Sequence, residues 1–311
     1  MCSESKASDY PCYTLCAVVL RESIILFIPH LRFGRNEKGI AFMTYKMAFL
    51  DIDGTISERD NLVRPRVAAA VRGLCARGIP VCLSTGRNFA HVLPILDALG
   101  VDIPVSTVDS AMVYAGRSGD VLFANTLSSE AQHEICELAA QHAVYIEAVT
   151  DTQYYKCIHG APSFDYGMWN DTSMVQYVDA CKDLRSLPPY IWEYIFGGST
   201  AEIAALRRAI AVRCGDAVGM RDDLWDGYLF AGAKGLNKTL GMRQLCTAAG
   251  VALSEIVAIG DGLNDLDFLA CAGLGVAMGG SDARVLAVAD CVTGTIHEDG
   301  AAIALEMYFG V

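Results

Sequence analysis

This chain is short of positive charge: Lys and Arg together number 24 against 36 Asp and Glu, a formal net charge of −12. Such a field repels phosphodiester backbones and anionic lipid surfaces, which argues against nucleic acid or a membrane as a partner. A small phosphate ester remains within reach, provided a few cations or a bound metal are gathered at one spot. Charge is sparse altogether, at 19% against 53% hydrophobic residues, so a packed core is expected rather than a disordered tail. The twelve cysteines, scattered from Cys2 to Cys291, include no Cys-x-x-Cys pair and no zinc-like grouping with histidine. That pattern excludes a disulfide scaffold and reads as free thiols in a reducing cytoplasm. The six histidines show no paired ligand spacing, so packed or surface positions are expected of them. No apolar run attains the roughly 18 residues a membrane span needs. Tyr13 to Leu20 is cut by Arg21 and Glu22 before Ile24 to Ile28 resumes. Glu4 and Asp9 against a single Lys6 are the wrong charge for the start of a secretory signal.

What is present is an alternation. At 311 residues the chain has room for one large or two modest domains. Residues 1–42 carry two short apolar patches and no sustained period, and are expected to be an extension outside the core, with Met43 or Met47 as the natural start. The run Met47 to Leu50 predicts a short strand buried on both faces. Pro65 opens a helical pattern (Val67, Ala70, Val71, Leu74) that Gly78 stops. A strand from Ile79 to Ser84 and a helix from Ala90 to Leu99 follow. Near the C-terminus a helix over Leu236 to Ala249 precedes strands at Ile256 to Ile259, Gly275 to Met278 and Cys291 to Thr293. Between these halves, helices near Glu130 to His142 and Ala201 to Val212 alternate with strands near Val144 to Val149, Gln153 to Ile158 and Ile191 to Phe196, and closing strands run through Val218 and Leu229. The expected fold class is α/β: a doubly wound, Rossmann-like parallel-sheet core formed by residues 43–126 and 230–311, with an inserted α/β cap domain at 127–229.

In an open parallel sheet the chemistry collects at the carboxyl ends of strands. Three polar clusters fall there: Asp51-Ile52-Asp53-Gly54-Thr55, Ser84-Thr85-Gly86-Arg87, and Gly260-Asp261-Gly262-Leu263-Asn264-Asp265. Lys234-Gly235 stands ahead of the helix that feeds the last of them. Asp51 and Asp261 on adjacent strand ends would repel unless a cation sat between them, and oxygen ligands with room for water point to magnesium. Asp53, two residues on, returns to the same side of an extended chain, so one carboxylate could attack while the other handles protons. Gly54 lets the chain turn tightly and brings backbone N–H groups to an anion. Thr85 offers a hydroxyl and Lys234 a point charge to a phosphoryl oxygen, and Lys238, one turn later, is the alternative cation. Together these residues form a phosphoryl-transfer kit.

In order and spacing these motifs resemble the haloacid dehalogenase superfamily, and within it the Cof-type phosphatases with an α/β cap, over about Met43 to Val311. The resemblance implies that Asp51 becomes a phosphoaspartate, and that Asp53 protonates the leaving alkoxide and later activates water. It implies Thr85 as the second motif's hydroxyl, Lys234 as the third motif's cation and Asp261 as a metal ligand. The Asp51 carboxylate and the Asp53 backbone carbonyl would join Asp261 at the metal. Asn264 would hold the phosphate beside Gly54, Gly86 and Arg87, with Thr55 and Asp265 in support. One departure is Asp109-Ser110-Ala111, where such phosphatases commonly carry Asn-Gly-Ala; an extra acid there would disfavour an anionic substrate unless it faces away or binds a sugar hydroxyl.

Duller readings apply to single residues. Asp60 is expected to cap or face solvent, Cys82 and Cys271 to be inert packing, and Trp169, Trp192, Trp225 and Tyr228 to fill the cap core. For Arg87, orienting its loop and touching substrate are equal alternatives. The stretch Gly235 to Thr239 glances at a phosphate loop but lacks the Gly directly before its Lys. The resulting expectation is a cytoplasmic, Mg2+-dependent phosphatase acting on a small phosphorylated metabolite, a sugar phosphate by preference. A phosphosugar mutase and a catalytically silent phosphosugar-binding protein are the alternatives.

Overall fold

The computed structural model describes residues 45–311 except 59–60, 143, 159–174, 179–186, 189 and 222–225, together with the backbone of residues 16–20, 23–27, 34–35 and 41–42. Met43, Asp60, Trp169 and Trp225 therefore lie outside the described residues. Strands β1 (Cys16–Leu20) and β2 (Ser23–Phe27) form one two-stranded ribbon, and β3 (Gly34–Arg35) and β4 (Ala41–Phe42) another. Among the described residues neither ribbon is hydrogen-bonded into a larger sheet.

The core sheet is built on β5 (Met47–Leu50), every residue of which is buried. Ala48 and Leu50 pack on one face with Leu74, Ile95 and Leu305, whereas Met47 and Phe49 pack on the other with Met242 and Phe268. A strand covered on both faces has no solvent side, so it reads as a continuous apolar run. From β5 the chain steps to β6 (Val81–Ser84) and β7 (Val105–Thr107) on one side. The antiparallel β8 (Met112–Tyr114) and β9 (Val121–Ala124), which alternation did not suggest, extend that edge.

The outer sheet, which caps the core, comprises β10 (Tyr145–Val149), β11 (Tyr154–Ile158), β12 (Val175–Val178), β13 (Glu193–Gly197), β14 (Gly219–Arg221) and β15 (Tyr228–Gly232), in the order β12-β11-β10-β13-β15-β14. Two helices, Ser129–Ala139 and Thr200–Cys214, cover one of its faces around Ile146, Ala148 and Phe196. Ser128 and Ser199 cap them, each accepting a backbone N–H from the first turn. The opposite face looks to the core, where Val149, Tyr154, Ile195 and Phe230 meet Val108 and Ala111.

The chain then returns as β16 (Ile256–Gly260), β17 (Leu274–Ala277) and β18 (Cys291–Val292) on the other side of β5, all parallel to it. The described core order is thus β18-β17-β16-β5-β6-β7-β8-β9, with connections leaving β5 in both directions. This is the doubly wound, Rossmann-like sheet expected, and its switch point lies at the carboxyl end of β5, where a crevice must open.

Candidate active site

Asp51 is the first residue past β5, and its N–H donates to the Ile259 carbonyl at 2.9 Å, so the strand ends of β5 and β16 are stitched together at the point where both turn acidic. Carboxylate oxygens of Asp51, Asp261 and Asp265 lie within 4.8 Å of one another. Asp51 and Asp265 are buried and Asp261 is partly so. The expected approach of Asp51 to Asp261 is therefore present.

The cation between them is not Lys234. The Lys238 ammonium donates to Asp51 Oδ1 at 2.5 Å and to Asp265 Oδ1 at 2.6 Å, and its side chain is 1% exposed. Lys234 is 63% exposed and pairs with Asp216 at the surface, so the expectation that placed it in the site is corrected. The reason is where the helix begins. Asn237, not Leu236, opens it, with Asn237 Oδ1 accepting the Leu240 N–H at 3.0 Å. That puts Lys238 at the first helical position, aimed at the strand ends. Asparagine followed by a helical pattern is the signal that would have found it.

Asp265 does more than support. Its Oδ2 accepts the N–H groups of Asp261 and Gly262, at 3.0 and 2.8 Å, while Oδ1 holds Lys238. One carboxylate thereby fixes both the loop and the cation. Thr55 donates to Asp261 Oδ1 at 3.0 Å and so sets the orientation of that side chain. Gly54 has φ +82°, and a Cβ there would stand 2.2 Å from Asp261 Oδ2, so the turn and the close approach both require glycine.

Asp53 is held in a two-pronged pair by Arg87, with Nη2 to Oδ1 at 2.6 Å and Nε to Oδ2 at 2.9 Å. Arg87 is buried and also donates to Asn61 Oδ1 and to the His91 carbonyl, so its contacts in this structure are those of a residue that orients Asp53 and its loop. Thr85 is buried, and its Oγ1 accepts the Arg87 N–H at 3.1 Å. Gly86 lies where an added Cβ would approach Asp109 Oδ1 and Asn264 Nδ2 at 3.7 and 3.9 Å.

Asp109 faces the cleft, but not alone. It accepts Asn264 Nδ2 at 3.1 Å and pairs with Arg221 of β14 at 2.6 Å, and Arg221 in turn reaches Glu193 of β13 at 2.5 Å. Burial raises the Asp109 carboxyl, yet Arg221 and Lys238, with the hydrogen bonds from Arg221 and Asn264, outweigh it and hold Asp109 below its ordinary value. The feared repulsion is thus balanced by a cap arginine, which nothing in the local sequence around Arg221 announces. Of the aromatics, Trp192 packs at this same junction and Tyr228 is buried within it.

The charges do not close. Burial, with Asp265, Asp261 and Asp53 nearby, pushes Asp51 well above the ordinary carboxylate range although Lys238 opposes it. Burial and Asp265 likewise push Asp261 up to about 6, against Thr55 and Lys238. Lys238 and Arg87 are two cations serving Asp51, Asp53, Asp261 and Asp265, which leaves two carboxylate charges uncompensated when all are ionised. The Lys238–Asp51 pair is formed all the same, and burial among three further acids is what raises Asp51. Hard carboxylate oxygens at this spacing fit a small divalent ion held by Asp51 and Asp261, Asp265 being already engaged.

A paired-carboxylate crevice at a switch point, under an α/β cap, is a site suited to phosphoryl transfer. Residues 48–305 match the family model of the haloacid dehalogenase-like hydrolases, and the chain belongs to that family. It is 25% identical over 268 residues to 5-amino-6-(5-phospho-D-ribitylamino)uracil phosphatase of Bacillus subtilis, covering 84% of this chain and 97% of that one. Its fold is that of a haloacid dehalogenase-like hydrolase from Bacteroides thetaiotaomicron, with TM-score 0.72, 22% identity, and 85% and 99% of the two chains covered. A haloacid dehalogenase subclass IIB sugar phosphatase is similar at TM-score 0.67 and 22% identity, over 85% and 99% of the chains. The Cof-type resemblance is thereby met. No helix among the described residues is long and apolar enough to cross a membrane.

Proposed function

We propose that this hydrolase is a cytoplasmic, Mg2+-dependent phosphatase that releases phosphate from a small phosphorylated metabolite, a sugar phosphate by class, through a phosphoaspartate at Asp51. The observation that carries the reading is the buried Asp51 carboxyl, held by Lys238 and set beside Asp261 and Asp265 at one strand end. In the proposed division of the chain, residues 43–126 and 230–311 form the catalytic core, 127–229 the cap, and 1–42 an extension outside both. Asp51 and Asp261, with the Asp53 backbone carbonyl, would hold magnesium, which supplies positive charge to the phosphoryl oxygens.

The protein's own groups then have separate tasks. Lys238 orients the Asp51 carboxylate for attack on phosphorus and screens the approaching anion. Asp53, steered by Arg87, gives its proton to the leaving alkoxide and later takes one from the water that hydrolyses the acyl phosphate. Thr85, Asn264 and the backbone around Gly54 and Gly86 are the donors for the transferring group. Asp51→Asn removes the nucleophile while keeping the shape. Phosphate release from phenyl phosphate and from a panel of sugar phosphates, with and without magnesium, should drop at least about a thousandfold in the variant, in line with the loss of a covalent route. Substantial remaining turnover would reject the covalent mechanism.

A further inference from the structure

The cap sheet turns two acidic residues towards the core, and they differ in one respect. Glu193 is buried and paired with Arg221. Glu147, in the middle of β10, is fully buried, and neither of its carboxyl oxygens has a hydrogen-bond partner. Burying an acid without partners is strongly unfavourable, and a residue that served the fold alone would be expected to have acquired one, as Glu193 has.

The direction of Glu147 follows from strand alternation. Ile146 and Ala148 belong to the cluster under the cap helices, so Glu147 faces the other way, with Val149, which packs on Val108 and Ala111 of the core. Directly across the ladder from Glu147 are Lys156 on one side and Ile195 on the other. Two residues before Lys156, on the same face, Tyr154 accepts the Asn88 N–H through its hydroxyl at 3.1 Å. Asn88 follows Arg87, which holds Asp53. The Tyr154 phenol, raised first by burial, also senses the charges of both Glu147 and Asp53. Glu147 therefore lies on the core-facing side of the cap sheet, one strand away from the tyrosine whose hydroxyl holds the segment that follows Arg87.

We propose that Glu147 and Lys156 form a subsite that binds hydroxyl groups of a polyol leaving group, Glu147 accepting and Lys156 donating. This rests on the phosphatase reading above. A polyol supplies both partners at once, whereas an apolar leaving group leaves Glu147 unpartnered and a second anionic group is repelled by it.

The test is steady-state kinetics of the full chain in magnesium on a hexitol phosphate and on phenyl phosphate, which has no hydroxyl. In Glu147→Ala the ratio of kcat/KM for the hexitol phosphate to that for phenyl phosphate should fall roughly 10- to 100-fold, mainly through KM, as expected for a lost hydrogen bond to a charged group. A ratio within about twofold of the wild type would overturn the subsite, on the same scale. Should Glu147→Ala not fold, Glu147→Gln keeps the shape and carries the test, with a selective fall of at least about threefold expected and none overturning the proposal. A wild-type protein that hydrolyses phenyl phosphate but no polyol phosphate also overturns the subsite. One that hydrolyses neither overturns the phosphatase reading instead.

Discussion

Four residues separate Lys234 from Lys238, and opposite fates follow. Lys238 is the cation that two buried carboxylates share, so removing it leaves Asp51 and Asp265 facing each other without compensation. Lys238→Met is expected to lose phosphate release and to destabilise the fold by about 3–5 kcal/mol, the usual cost of breaking a buried pair. Lys234→Met should retain both activity and stability, because its partner Asp216 is exposed and the pair is screened by water. Denaturant unfolding of the two variants, with phosphate release measured in parallel, separates them. At this scale the local sequence was ambiguous: either lysine is within a turn of the helix start, and only the cap at Asn237 decides between them.

At the scale of elements, the helix Lys238–Ala249 must approach the turn after β7 closely enough for its first residue to enter the site. The contact is made by small groups. Ser110 Oγ accepts the Gly241 N–H at 2.9 Å, and Ser106 and Ser110 lie against each other at 3.0 Å. The turn itself holds Val108, Asp109 and Ser110 at φ values of +47°, +46° and +77°, a run of left-handed residues that side chains rarely adopt. Gly241→Ala would gain about 1 kcal/mol of helix propensity in an open helix. Here its Cβ would stand 2.3 Å from Ser106 Oγ and 2.8 Å from Ser110 Oγ. We expect a net loss of about 1–3 kcal/mol from overpacking, with a fall in activity as Lys238 is displaced. Thermal unfolding tests the sign, and a more stable variant would show that the turn can yield. The strands β5, β6, β16 and β17 and the helices that begin at Pro65, Phe89 and Lys238 were legible from period and from their proline and glycine punctuation. The hairpin of β8 and β9 was not, because its first strand pairs antiparallel with β7 and carries no long apolar run.

For the whole molecule, the cap and core meet through an apolar seam that includes buried acid. Burial pushes Glu147 up to about 7, with Lys156 opposing, from an ordinary value of 4.5. The unfolded chain releases this proton near 4.5 and the folded one only near 7, so between those values the folded state binds more protons. Stability is therefore greatest below the lower value and falls as pH rises through the window, by up to about 1.4 kcal/mol per pH unit from this group. Glu147→Gln removes that fall. The stability of the variant relative to the wild type should climb from pH 4.5 to pH 7 and then level off, as read from unfolding curves across pH. A constant difference would show that the carboxyl is not buried in solution. Glu193, raised to about 7 by burial against Arg221, keeps its own share of the slope in both proteins.

The amino-acid sequence determined what is local: the apolar run of β5, the acidic and hydroxyl clusters that end its strands, and the length of chain between β9 and β16 available for a cap. Those features need only neighbours along the chain, since strand burial and turn chemistry are set within a few residues. Tertiary structure alone brought Lys238 to Asp51 across 187 positions, set Arg221 against Asp109 from 112 positions away, and buried Glu147 without a partner. Each of these depends on the distance between segments that folding brings together, and electrostatic and hydrogen-bond energies change over a few ångströms that no local pattern encodes.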